Sequence, residues 1–233
     1  MKLTLSITFL VTLFSTLVQA QVTSNTNLYD LVDPDHLNTD LLYQNSAANF
    51  KGSPFYTDEW STGFVTILGG EHYDDILIKY DAYKDEVLVR KSEDNVIIVD
   101  KKQINRFGWT DNDNEIISFE KKLLNNKPTY LETIFKGETF NVYRYRVKKF
   151  HKKDEQNSNS YSEDIKDEYK WTSTKLYYDN GNSLTEISTK GKNFYSVFGD
   201  KKAEMQKFAK SNKLKVKDKK DLEEIFAHYS TIK

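Results

Sequence analysis

Lys175-Leu-Tyr-Tyr-Asp-Asn-Gly-Asn-Ser-Leu-Thr-Glu186 is the stretch that decides the fold. Asn180-Gly181 at its centre is the strongest short hairpin signal, because both residues tolerate positive φ, and apolar and polar side chains alternate on either side. If Asp179 faces Asn182, then Tyr177 lies opposite Leu184 and Lys175 opposite Glu186, with Leu176 facing Thr185 on the other side. One turn thereby yields an apolar and an opposite-charge contact across the strands, each worth ~0.2–1 kcal/mol.

The same period of two runs back to Gly63. Residues 64–68 lead into Gly69-Gly70, residues 75–80 alternate through Ile76, Ile78 and Tyr80, and a turn at 81–85 returns the chain through Val87 and Val89. Val96-Ile-Ile-Val99 is apolar on both faces and predicts a central strand. Further strands are predicted at 104–109, 115–120, 129–135 and 140–150, with turns at Asn125-Asn126 and Lys136-Gly137. Fifteen Tyr and 14 Phe against three Pro and nine Gly suit a pleated surface, where large rings pack well. The pattern predicts a mainly β fold with C-terminal helices (α+β): an antiparallel meander of about ten strands forming a barrel or curved sheet.

Around this body the chain divides into an export segment at 1–20, an arm at 21–60, the β body at 61–198 and a two-helix tail at 199–233. In the arm, apolar clusters at Leu28, Leu31 and Leu41 are separated by polar punctuation, with a short helix over 37–43. Gly52-Ser-Pro-Phe-Tyr-Thr-Asp-Glu-Trp60 reads as extended chain docking aromatics on the body. Residues 152–166 hold too little apolar surface to offset ordering entropy and predict a mobile loop. In the tail, Asp200 is expected to cap a helix carrying Met205, Phe208 and Ala209 and ending near Asn212, after which Leu214 and Val216 sit in a short extended segment. Asp218 is expected to cap a second helix with Leu222, Ile225, Phe226 and Tyr229 on one face, a stripe to be buried against the body.

Lys2, the uncharged apolar run over 3–17 and the small residue Ala20 form a signal peptide cleaved after Ala20. Nothing later reaches 18 consecutive apolar residues, so no membrane-spanning helix is expected. The remaining 213 residues carry 33 basic and 35 acidic side chains, intermixed, which excludes the concentrated positive face that nucleic acid requires. The chain has no cysteine. Disulfides, thiol catalysis, thiolate metal sites and an N-terminal lipid-modified Cys are all excluded.

Motifs that carry chemistry are scarce. His36, His72, His151 and His228 lack zinc-helix spacing, and His72 lies in a predicted turn, Glu71-His72-Tyr73-Asp74-Asp75. Asp111-Asn-Asp-Asn-Glu115 imitates the start of a calcium loop, but Ile116 stands where the sharp turn needs Gly and Lys122 where a bidentate carboxylate belongs; it reads as a polar turn. No nucleophile elbow, phosphate loop or dinucleotide fingerprint occurs, so no catalytic, cofactor-binding or metal residue is assigned. Asp58, Glu59 and Glu132 remain carboxylates that a glycosidase-like pairing would need. Arg144, Arg146 and Lys148 share one face of a predicted strand. They read either as an ordinary basic solvent face screened by acids such as Glu168, or as an anion- or partner-contacting stripe.

The segments 52–60, 76–87, 198–202, 208–214 and 222–225 resemble a broad set of uncharacterised exported bacterial proteins with a β-rich body and this two-helix tail. The likeness spans most of the chain beyond residue 20. It implies export and architecture and carries no catalytic motif. The expectation is an exported, periplasmic or secreted, non-enzymatic cell-envelope protein that binds an envelope protein, glycan or lipid. The alternative is an exported hydrolase using carboxylates from separate strands, distinguished by converging acids of perturbed pKa in a cleft.

Overall fold

A computed structural model of the chain describes residues 27–32, 50–93, 95–152 and 167–233. The predicted signal segment, the arm helix over 37–43, His36 and nearly all of the predicted loop at 152–166 lie outside the described residues. Twelve strands occur among the described residues: β1 Ser61–Ile67, β2 His72–Asp81, β3 Glu86–Ser92, β4 Asn95–Ile98, β5 Ile104–Thr110, β6 Ile116–Leu124, β7 Lys127–Lys136, β8 Asn141–Tyr145, β9 Lys148–His151, β10 Glu168–Trp171, β11 Lys175–Asp179 and β12 Leu184–Ile187. Ten of them pair, all antiparallel, in the order β12-β11-β8-β7-β6-β5-β1-β2-β3-β4, and β9 pairs with β10 as a separate ribbon.

The expected barrel or curved sheet is not what forms. The sheet is open, with β12 and β4 as separate edges, and it is neither closed nor strongly curled. Closure requires the first and last strands to pair at a matched tilt and stagger. Here the chain runs as two meanders, β1–β4 and β5–β8, joined where β5 pairs with the outer side of β1. Both edges are only four residues long, which limits the unpaired backbone they present.

Three local expectations change with this topology. Val96-Ile-Ile-Val99 lies at the β4 edge rather than in the centre. It is apolar on both sides because the arm covers it: Val32 bridges Val99, and the Asp100 N–H donates to the Leu31 carbonyl at 2.8 Å. The strand predicted over 140–150 breaks at Arg146-Val147, where Val147 exchanges hydrogen bonds with Thr172 and the chain leaves the sheet for the ribbon. The 175–186 hairpin forms with a four-residue loop, pairing Asp179 with Leu184 and Tyr177 with Glu186. Asn180 Oδ1 accepts from the N–H groups of Asn182 and Ser183 and so stabilises the longer loop. A shift of two residues keeps every side chain on its predicted face. The Lys175–Glu186 ion pair therefore survives as a diagonal contact of 2.9 Å.

Directly opposed residues share a face, so register traces one row of side chains across seven strands: Val65, Phe107, Phe119, Glu132, Arg144, Leu176 and Ile187. On the β1–β6 side the row belongs to an aromatic core roofed by Leu28 and Leu31 of the arm and by Tyr56. Gly63 and Gly108 let the backbones meet there, because a Cβ on Gly63 would stand 2.2 Å from the Gly108 carbonyl oxygen. On the β7–β12 side a second core is roofed by helices α1 Lys202–Ser211 and α2 Lys219–Ile232 and by a 3-10 segment, Gly191–Lys201, kinked at Gly199.

Asp218 caps α2 as expected, its carboxylate accepting from the N–H groups of Lys220 and Asp221, and Leu222, Ile225, Phe226 and Tyr229 are buried. Asp200 caps nothing. It falls within the 3-10 segment, and α1 starts after Lys201 without a side-chain cap. No described helix is long and apolar enough to cross a membrane.

Phe226 is fully buried among the rings of Phe140, Phe194 and Phe198. Phe226→Ala is expected to lower stability by about 3–5 kcal/mol in urea unfolding. Leu123→Ala, at a position 68% exposed, should change it by less than about 0.5 kcal/mol. Comparable losses at the two positions would contradict this placement of the tail.

Candidate functional site

Between the two cores the row turns polar. Arg144 donates to Glu132 through two parallel bonds, Nε to Oε2 at 2.9 Å and Nη2 to Oε1 at 2.7 Å, and the Glu132 side chain is 1% exposed. Adjacent strands place the two groups directly opposite each other. Burial works against the Arg144 charge, and the facing Glu132 carboxylate more than restores it, so the guanidinium pKa lies above its ordinary value. Tyr56 comes from the segment before β1, which runs as successive bends rather than as the extended chain expected, docked by its N–H on the Tyr80 carbonyl, and its hydroxyl donates to Glu132 Oε2 at 3.3 Å. Burial, then the Glu132 charge, push the Tyr56 phenol up.

Arg146 donates to the Tyr56 hydroxyl at 2.7 Å, and its guanidinium lies 5.1 Å from the Tyr56 ring centre and 4.5 Å from that of Trp171. Lys148 donates to the Phe55 carbonyl and sits 5.0 Å from the Trp171 ring. The three cations singled out from the sequence thus converge on one region, and each has a partner within the chain: Glu132, the Tyr56–Trp171 pair and Phe55. Glu168, expected as their screening acid, instead pairs with Lys170. Sequence reasoning missed Tyr56 and Trp171 as members of this cluster. The signal was present in the aromatic residues of 55–60 and in the Trp171 that follows the long polar stretch, but only the fold brings them together.

Two clefts open at this end of the sheet. The smaller, about 260 Å³, is lined by Tyr56, Glu132, Arg144, Glu115 and the start of α2 at Lys219 and Lys220. Lys220 pairs with Glu115 across it at 3.1 Å. The larger, about 800 Å³, is lined by Asp58, Glu59, Trp60, Phe64, Asp74 and Trp109 among others, and no described Lys or Arg lines it. Asp111 borders both. Its carboxylate accepts from the N–H groups of Asp113 and Glu115 at 2.9 Å each, which is turn chemistry. His72 bonds Thr66 at 2.8 Å and Asp74 at 3.0 Å at the strand start. Among the described residues no group of three or more His, Asp or Glu side chains is arranged to hold a metal.

Asp58 and Glu59 line the larger cleft and Glu132 the smaller, so the three carboxylates named from sequence do not share one cavity. The carboxylates with displaced pKa lie elsewhere. Asp85 is pushed up by burial, against the pull of Lys101, and accepts from the Tyr80 hydroxyl at 2.7 Å. Glu120, on the opposite face, is lowered, and half-buried Glu168 is lowered by Lys170. None of the three lines either cleft. Compared with family models, with curated proteins and with solved structures, the chain matches none.

Removing one partner of a buried pair strands the other charge, so Arg144→Met is expected to lose about 3–5 kcal/mol. Glu132→Gln combined with Arg144→Met should lose clearly less than the sum of the single losses, and strict additivity in urea unfolding would contradict the coupling. On the opposite face, burial pushes the Glu120 carboxyl up, but hydrogen bonds from Lys136 and Tyr143 and the charges of Lys136 and Lys122 outweigh it. The folded pKa lies below the ordinary 4.5. Its contribution to stability is present at neutral pH and is lost as pH falls from the unfolded value through the folded one. Glu120→Gln should flatten the stability curve below pH ~5, and an unchanged acid limb would contradict that role.

Proposed function

We propose that this chain is an exported, non-enzymatic binding protein of the cell envelope, periplasmic or secreted after cleavage following Ala20, that takes its ligand where the two clefts meet. Export rests on the charge and apolar pattern of residues 1–20 and on the resemblance to exported proteins. The observation that carries the binding reading is the larger cleft. It sets carboxylates at Asp58, Glu59 and Asp74 beside aromatic side chains, with no cation among its described lining residues, while Lys79 and Arg90 lie against the Trp60 ring at 5.6 and 4.8 Å. Such a wall accepts hydrogen bonds from hydroxyl and amine groups and repels anions. A hydroxyl-rich, neutral or amine-bearing glycan fits this chemistry. A lipid phosphate or an acidic polymer does not.

The binder is favoured over the hydrolase by the contacts of Glu132. Among the described residues it is the deeply buried carboxylate at the clefts, and both its oxygens are already engaged by Arg144, which leaves neither free to meet a glycosidic oxygen or an attacking water.

Trp60 and Trp109 border the larger cleft, so its occupancy is readable by tryptophan emission. Titration with chitosan oligosaccharides, as amine-bearing glycans, is expected to give a saturable change that weakens with salt. Asp58→Asn combined with Asp74→Asn should weaken it at least about tenfold. Equal or tighter binding of a sulfated glycan would contradict the reading. Release of reducing ends that is abolished in Glu132→Gln would establish the hydrolase instead.

A further inference from the structure

Asn180-Gly181 is the only Asn-Gly pair in the sequence, and both residues are exposed in the loop between β11 and β12. Three donors converge on Asn180 Oδ1: the N–H of Asn182 at 3.0 Å, the N–H of Ser183 at 2.9 Å and the Ser183 hydroxyl at 3.3 Å. The Gly181 N–H donates to Asp179 Oδ1 at 2.9 Å, while Lys122 holds Asp179 Oδ2 at 3.0 Å. Gly181 has φ +85°, and nothing lies within 4 Å of where a Cβ would stand. A polarised carbonyl in a donor pocket, an attacking nitrogen whose proton faces a carboxylate, and free space are the parts that intramolecular acyl transfer needs.

We propose that Asn180 is a self-modification site, which the loop converts to aspartate and isoaspartate through a succinimide. The Gly181 backbone nitrogen attacks Asn180 Cγ and forms the new N–C bond, and its proton passes to the Asp179 carboxylate. The three donors stabilise the negative charge that develops on Oδ1. Asp179 returns the proton to Nδ2 as the Cγ–Nδ2 bond breaks and ammonia leaves to solvent. One water then opens the imide, giving aspartate at one carbonyl and isoaspartate at the other, with no oxidant or cofactor consumed. The product adds a carboxylate beside Asp179. The isoaspartate form also lengthens the main chain in the loop that sets the β11–β12 register. The reaction therefore acts on an edge strand whose member of the helical core, among the described residues, is buried Ile187.

The test follows the segment 175–186 in the full chain by mass spectrometry during incubation at neutral pH, against a synthetic peptide of the same residues. Conversion appears as a gain of about one mass unit at Asn180 with isoaspartate present. The folded chain is expected to convert at least about tenfold faster than the peptide, and Asp179→Asn to remove that advantage. Lys122 keeps a second acid, Glu120, at 3.5 Å in that variant. Should Asp179→Asn fail to fold, Ser183→Ala at an exposed loop position carries the same test: slowing supports the donor pocket, and an unchanged rate overturns it. A folded chain that converts no faster than the peptide, or a folded Asp179→Asn chain with the wild-type rate, overturns the proposal.

Discussion

One ion pair organises this protein. Register forces Glu132 and Arg144 opposite each other in the middle of a row that is otherwise apolar across the sheet, from Val65 to Ile187. A buried pair contributes little net stability over an apolar pair of the same volume, so its effect lies in specificity. If β8 slipped one residue against β7, Arg144 would move to the opposite face and leave Glu132 buried with no cation. The pair thus fixes the β7–β8 register, and with it the placement of everything roofed on either side.

The same pair explains why one sheet face carries two cores and two kinds of roof. Aromatic packing under Tyr56 cannot run on through a charged position, and the helical core of Phe194, Phe198 and Phe226 begins beyond it. Tyr56 bridges the junction. It packs on Trp109 and Phe119 with centroid distances of 5.5 and 5.3 Å and hydrogen-bonds Glu132. Trp171 meets Tyr56 edge to face at 5.3 Å, and Arg146, beside both rings, then ties the β9–β10 ribbon to that bridge. Cation–π contacts of this kind contribute about 0.5–2 kcal/mol each, more as they are desolvated. The cleft at the junction is the consequence of two roofs that do not meet.

Much of the architecture was legible in the residues. Alternation located the strands of the body, and the Asp218 cap with its stripe at Leu222, Ile225, Phe226 and Tyr229 located the second helix. What failed was non-local. An apolar run such as 96–99 reads as central until one knows that the arm covers it, and alternation through 140–150 continues past the point where Thr172 draws Val147 out of the sheet. Barrel and open sheet share one strand pattern, since closure depends on which edges meet. The cations Arg144, Arg146 and Lys148 were visible as a stripe, but their partners lie 12 to 93 residues away in the chain. No spacing rule reaches that far. In the larger cleft, Asp74 and Asp111 were visible only as turn residues, and Asp58 as a carboxylate with no partner assigned.

The most direct test of the account is native-state hydrogen exchange read strand by strand in the wild-type chain and in Arg144→Met. If Glu132–Arg144 joins the two cores into one unit, wild-type amides of β1–β3, β5–β8 and the α2 core share one global opening free energy. In the variant, β8, β11 and the helices should open at lower free energy than β1–β5. Halves that already open independently in the wild type, with no change in the variant, would contradict it.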